Sequence, residues 1–142
     1  MNKKKLLAVN LNEFNLNFLK YGAIKYDCIY IKRFLSLKNI KTFSEDKIQD
    51  KNLDPWVQNI SINSGKKSKN HKIFNLGEKI PKNLFQIWDY LSKKKINSAV
   101  WGPMNTNFKN SKFIKLFLPD PWNNQSTVKP KELSSFYKLA RT

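Results

Sequence analysis

Short apolar runs alternate along the chain with apolar residues at helical spacing. The run LLAVNL (6–11) is continuous and short, which predicts a buried strand that ends at Asn12-Glu13. Three other short stretches, NIKTF, SAVWG and FIKLFLPD, also suit strands. They predict strands at 39–43, 98–102 and 113–120.

The stretch DPWVQNISINSG predicts a helix over 54–63. Asp54 is a good N-cap, Pro55 fits the first helical position, and Gly65 stands where a helix ends. The sequence NLFQIWDYLSKKK predicts a second helix over 83–95, in which Asn83 and Gln86 form a capping-box pair. Both helices are therefore delimited by their end residues as well as by spacing.

Three further helices follow from the spacing of apolar residues. One covers 14–22, one follows a cap at Asp27 and reaches Leu37, and one runs from Pro130 to Ala140. The polar stretch 44–52 and the basic stretch 65–72 are predicted to be loops.

Strands that alternate with helices are typical of an α/β fold with a largely parallel sheet flanked by helices. With 142 residues, the chain is expected to form a single α/β domain over 1–142. Function in such sheets collects at the carboxyl ends of the strands. The predicted ends with polar or special residues are Asn12-Glu13, Trp101-Gly102 and Asp120.

The net charge of +17 suggests a nucleic-acid or anionic-membrane partner. However, only Arg33 and Arg141 among the 27 basic residues are arginines, which leaves little for bidentate recognition of phosphate or guanine. The excess is lysine, together with abundant Asn and Ile, as an AT-rich coding sequence gives. A nucleic-acid partner is therefore not expected.

Cysteine usage and the amino terminus bear on the compartment. Cys28 is the only cysteine, which excludes a disulfide framework and fits a reducing compartment. The apolar run after the first lysines stops at Asn10, and no later run approaches membrane-spanning length. We expect a cytoplasmic protein without a membrane partner.

Three side chains are candidates for chemistry, and each has a plain alternative. Glu13 could bind a metal or merely favour the start of a helix. Asp54 stands at a helix N-terminus, where it could act on an anion or only cap the helix. His71 is the only histidine, so neither a convincing Ser-His-Asp triad nor a two-histidine metal site is available.

Four stretches taken together resemble the N-terminal part of the alkaline phosphatase-like superfamily, which includes type I phosphodiesterases/nucleotide pyrophosphatases and sulfatases. The resemblance covers roughly residues 5–120 and is nearest to a bacterial branch of that superfamily. The matching stretches are LLAVNLNEFN, LDPWVQNISINSG, NHKI and AVWGPMN.

The resemblance implies roles for individual residues. Glu13, or Asn12, matches the first metal-ligand position, Ser64-Gly65 matches the Thr-Gly step, and His71 matches the histidine that follows it. The nucleophile position, ten residues before Gly65, holds Pro55, which cannot attack phosphorus. The resemblance therefore implies Asp54 as a metal ligand or aspartyl nucleophile, with His71 and Asn12 in substrate binding.

The superfamily's remaining metal ligands lie in a later half of its domain, so the resemblance implies a truncated or split protein. A divalent metal, zinc or manganese, would not be retained by this chain alone. Hydrolysis or transfer at a phosphate or sulfate ester would need the missing C-terminal half, so the chain alone is expected to be inactive. The expected partner is a separately encoded C-terminal half or, in a homo-oligomer, another copy of the chain. The alternatives are a non-catalytic binding or assembly module of the same fold, and a small basic nucleic-acid-binding protein.

Overall fold

The computed structural model describes residues 5–12, 14–44, 53–124 and 127–142. The chain divides into two compact units, Met1–Phe43 and Ser44–Thr142, and each is described by itself. The expectation of one domain over 1–142 stays a prediction. The elements are α1 (Leu16–Lys25), α2 (Ile29–Leu35), α3 (Pro55–Ser64), α4 (Ser68–His71), α5 (Ile87–Lys93), β1 (Ser98–Trp101), β2 (Ile114–Leu118), a 3-10 helix (Lys131–Leu133) and α6 (Ser134–Leu139).

The first unit contains the two helices that the spacing predicted. The Asn15 side chain caps α1, because its Oδ1 accepts a hydrogen bond of 3.0 Å from the Phe18 amide. The prediction of Asp27 as the cap of α2 is wrong, since Cys28 holds that position. Asp27 has a left-handed backbone, φ 47°, and its carboxylate pairs with Lys32 instead.

The predicted strands at 6–11 and 39–43 are not present. The segment 6–11 has no regular secondary structure, and Leu6 and Leu7 are 94% and 84% exposed. A strand needs a neighbour that accepts and donates its backbone hydrogen bonds. The described residues of the first unit contain no strand that could be this neighbour.

The second unit begins its described part with α3, as predicted. Pro55 occupies the first turn, and Gly65 ends the helix in the left-handed conformation, φ 66°. Asp54 stands at the N-cap, but its side chain makes no capping hydrogen bond. The predicted loop over 65–72 is partly wrong, because α4 forms inside it. The predicted loop over 44–52 lies, apart from Ser44, outside the described residues.

Helix α5 begins later than predicted. Asn83 lies in a turn that is closed by a 3.0 Å hydrogen bond from the Leu84 amide to the Pro81 carbonyl. The capping box is therefore formed by Gln86 and Asp89, one turn beyond the predicted pair. The Gln86 amide donates to Asp89 Oδ2 at 2.9 Å.

Strands β1 and β2 are parallel, and helices pack against both faces of their sheet. On one face, Trp88 of α5 packs against Ile114 and Phe117. On the other face, Leu118 packs against Val128 and Tyr137, the last of which belongs to α6. The described part of the second unit is thus a small α/β structure, which confirms the general class that the sequence predicted.

None of the helices in the described residues combines the length and the apolar composition that a bilayer crossing requires.

Candidate functional site

Two of the predicted strand ends meet in space. The Gly102 amide donates to the Leu118 carbonyl at 2.7 Å, and the Asp120 amide donates to the Pro103 carbonyl at 3.2 Å. Parallel pairing brings both carboxyl ends to one edge of the sheet, as the sequence predicted for Trp101-Gly102 and Asp120. The third predicted end, Asn12-Glu13, belongs to the first unit.

An apolar cleft of about 190 Å³ opens at these strand ends. Its walls include Leu118, Trp101 and the side chains of Phe136 and Tyr137. Trp101 and Phe136 are 69% and 52% exposed, so two aromatic rings form its rim. The cleft is smaller than the roughly 300–1,000 Å³ of ordinary small-molecule sites. It suits a single apolar side chain better than a cofactor.

Asp120 lies in the chain between Pro119 and Pro121, which both line the cleft. Burial raises the pKa of Asp120 above its ordinary value, and the Trp122 amide, which donates to Asp120 Oδ1 at 2.9 Å, offsets only part of this effect. The Tyr137 hydroxyl donates to the Asp120 carbonyl at 3.0 Å and ties α6 to the loop. Burial also raises the pKa of Tyr137.

Behind the strand ends, a buried amide group holds the loop that follows β1. Gln86, fully buried, accepts hydrogen bonds through Oε1 from Thr106 Oγ1 at 3.0 Å and from the Asn107 amide at 3.2 Å. Its Nε2 donates to the Asn105 carbonyl at 3.1 Å. Both ends of the Gln86 amide are therefore used to fix the loop.

Asn105 is the second residue of this group and has a left-handed backbone, φ 44°. Its Oδ1 accepts from the Gly77 amide at 2.8 Å, and its Nδ2 donates to the Asn75 carbonyl at 2.9 Å. Asn tolerates a left-handed backbone better than most residues. Gln86 and Asn105 carry little local signal in the sequence: two asparagines, Asn105 and Asn107, follow a strand and a glycine.

His71 lies in a hydrogen-bonded chain that fixes its ring. Nδ1 accepts from the Ile73 amide at 3.0 Å, and Nε2 lies 3.1 Å from Ser61 Oγ. A neutral histidine whose Nδ1 accepts must carry its proton on Nε2. Nε2 therefore donates to Ser61, whereas activation of a serine needs an unprotonated nitrogen facing its hydroxyl. The pair has a structural geometry.

The residues that the resemblance assigned to metal and substrate are not assembled into one site by the described residues. Asp54 is half-buried at the start of α3, Asn12 is an exposed turn residue of the first unit, and Glu13 lies outside the described residues. Among the described residues, no three His, Cys, Asp or Glu side chains come close enough together to hold a metal ion. Their roles in catalysis, metal binding and substrate binding stay predictions.

The outer edge of β1 is the second notable feature of this region. The amides of Ser98 and Gly102 donate to carbonyls of the β2 segment at 2.9 and 2.7 Å. The register shifts between Ser98 and Ala99 by one extra residue in β2, but Ser98 and Gly102 both donate to the β2 segment. Because the direction alternates along β1, we infer that the amides of Ala99 and Trp101 point away from β2. Within the described part of the chain, β1 pairs with β2 alone.

The helix layer also stops short of β1. The face that α6 covers carries Leu116 and Leu118 of β2, which pack beside Tyr137. Ala99 and Trp101 stand next to those leucines in the parallel register, yet both are exposed. The outer edge of β1 thus has no described strand beside its backbone, and no described helix covers the side chains of Ala99 and Trp101.

A comparison of the chain with protein-family models, with curated proteins and with solved structures found no match.

Proposed function

We propose that this chain is an assembly module, which binds another polypeptide by adding that polypeptide's strand to the outer edge of β1. The observation that carries the proposal is the open edge of β1. The backbone amides of Ala99 and Trp101 point away from β2, and the side chains of these two residues are exposed. An unpaired edge is a template for another strand. The opposite edge of the sheet is different, because Phe117 and Lys129 exchange hydrogen bonds of 2.8 and 2.9 Å there.

The surface above the edge supports a polypeptide partner. In parallel sheets, helices cover both faces, and the strands are buried. Trp101 is 69% exposed in a strand of this kind, and the apolar cleft opens beside it. A partner that adds a strand, together with a covering segment, would bury both features.

The alkaline phosphatase-like relationship forms part of this proposal. A partner that carries the later half of such a domain would extend the sheet and supply the missing metal ligands. The resemblance assigns Glu13 and Asp54 as the residues that this chain would contribute to binding zinc or manganese. The described residues do not by themselves form a metal site, so no reaction step is assigned to the metal.

Strand addition can be tested with a set of synthetic octapeptides of high β-propensity. Amide exchange of the whole chain is followed by NMR with and without each peptide. We expect binding by at least one peptide to protect the amides of Ala99 and Trp101 from exchange. The Ala99→Pro variant, which lacks the outward donor, should lose this binding, whereas the matched Ala99→Val variant should keep it.

Protection of neither amide by any peptide would overturn the proposal. Equal binding by the Ala99→Pro chain would do the same, because proline at this position removes the hydrogen bond on which strand addition depends.

A further inference from the structure

The described part of the second unit has a strongly one-sided surface charge. Its residues include sixteen Lys or Arg against five Asp or Glu. Fourteen of the sixteen basic residues are exposed, whereas Glu132 is the only exposed acidic residue there. Asp89 and Asp120 are buried, and Asp54 and Glu78 are half-buried. This surface therefore presents almost no negative charge to a partner.

Positive charge lies near both ends of the open β1 edge. Lys94 is the C-cap of α5, and Lys95 follows it three residues before β1. Both are exposed, and the described residues give neither an ion pair. At the other end, Lys138 and Arg141 belong to the segment whose Tyr137 forms a wall of the cleft. Salt screens charges over about 8 Å at physiological ionic strength, so the cations closest to the edge contribute most to the field that an added strand meets.

From these two observations we propose that the partner strand is acidic and carries an apolar side chain that enters the cleft beside Trp101. This inference rests on the proposed assembly function. The acidic groups of the partner would lie near Lys94, Lys95 and Lys138, and its backbone would meet the Ala99 and Trp101 amides.

The charge pattern disfavours a second copy of this chain on the same edge. A second copy would bring its own lysines to the interface and only Glu132 as an exposed acidic group, so like charges would oppose pairing. A nucleic acid has the required charge, but it offers no polypeptide backbone to continue the sheet. An acidic polypeptide can pair with the exposed lysines, hydrogen-bond to the β1 amides and place an apolar side chain in the cleft.

The test uses three octapeptides that share one alternating pattern and one phenylalanine anchor. They differ only at the polar positions, which are glutamate, glutamine or lysine. Binding to the whole chain is measured at low and high salt, with amide exchange as the second readout. We expect the glutamate peptide to bind about tenfold more tightly than the glutamine peptide at low salt, because several exposed ion pairs each contribute modestly. This difference should shrink at high salt.

Two variants and one control test which lysines attract the acidic peptide and where its phenylalanine binds. Lys94→Glu combined with Lys95→Glu should abolish the preference for the glutamate peptide, while the Lys66→Glu, Lys67→Glu pair, in the loop between α3 and α4, should retain it. Trp101→Ala should weaken all three peptides similarly, since it removes one wall of the cleft.

The other outcomes separate this inference from the proposed function. Equal binding by the glutamine or lysine peptide, with Ala99 and Trp101 protected, would overturn the acidic partner and leave strand addition standing. Protection of the two amides in a dimer without peptide would show that a second copy is the occupant, and would overturn the inference. Binding of an oligothymidylate probe, with no peptide protecting these two amides, would overturn both proposals.

Discussion

The Nε2 atom of His71 lies 3.1 Å from the Oγ atom of Ser61, and the hydroxyl in turn lies 3.4 Å from the Val57 carbonyl. Nδ1 accepts from the Ile73 amide. Each donor therefore points the same way along the chain of hydrogen bonds: the Ile73 amide to the ring, the ring to the Ser61 hydroxyl, and the hydroxyl to the Val57 carbonyl of α3. The only histidine of the chain thus joins α3 to the segment that follows α4.

This chain of hydrogen bonds predicts which ring nitrogen of His71 carries the proton. It also predicts how much stability is lost when one of its members is removed. Nitrogen NMR should show the Nε2-protonated tautomer at neutral pH. His71→Ala should lower the free energy of unfolding by about 2–3 kcal/mol, because it leaves the buried Ile73 amide without its acceptor. Ser61→Ala should cost about 1 kcal/mol or less, since it removes one neutral hydrogen bond. Labelling of Ser61 by a fluorophosphonate, lost in His71→Ala, would contradict this structural role.

Local patterns were enough to predict α3, β1 and β2, but not α4. Helix α3 has its own signals, Pro55 at the start and Gly65 at the end, and both act within a few residues of the helix. Strands β1 and β2 were found because short apolar runs between turn residues suit a buried parallel strand. The pairing of these two strands at one edge then followed from the α/β class.

Features that depend on distant partners could not be predicted in this way. The strand expected at 6–11 has a suitable composition, but the described part of its unit provides no partner strand. The amide group is also non-local, since Gln86 and Asn105 are 19 residues apart and Asn105 and Gly77 are 28 apart. In a chain rich in asparagine, nothing near Asn105 distinguishes it from its exposed counterparts.

Gly77 should be far less tolerant of alanine than Gly65, although both have a left-handed backbone. A Cβ at Gly77 would lie 2.8 Å from the Trp122 carbonyl, whereas a Cβ at Gly65 would meet nothing within 4 Å. Gly65→Ala should therefore cost only the backbone strain, about 1–2 kcal/mol. Gly77→Ala adds a clash with backbone and should cost about 3 kcal/mol or more. Urea denaturation of the two variants measures the difference, and equal costs would contradict the close approach.

Asp120 and Glu78 should make opposite contributions to the pH dependence of stability. Burial raises the pKa of Asp120, so its contribution is fully present in acid and is lost as the pH rises through the pKa of the folded state. For Glu78, desolvation works in the same direction, but hydrogen bonds from Phe74 and Asn75 outweigh it and lower the pKa. Its contribution is therefore present at neutral pH and is lost as the pH falls through the lowered pKa.

Two isosteric variants separate these contributions. We expect the free energy of unfolding of Asp120→Asn to increase relative to that of the parent chain as the pH rises from about 3 to about 7, across the usual carboxyl range. Glu78→Gln should instead lose relative to the parent over the same interval. Urea denaturation at a series of pH values measures both differences, and a shared sign would contradict the assigned environments.

Proline substitutions in β1 should distinguish its two edges without any partner. The Ala99 amide points away from β2, so Ala99→Pro removes no hydrogen bond of the sheet and should change the free energy of unfolding by less than about 1 kcal/mol. The Val100 amide points towards β2, and Val100→Pro should cost about 3 kcal/mol or more. Val100→Ala is the control, because it removes the side-chain packing against Trp88 and its neighbours but keeps the amide. If Ala99→Pro unfolded the chain as severely as Val100→Pro, the Ala99 amide would be engaged within the chain, and the β1 edge would not be open.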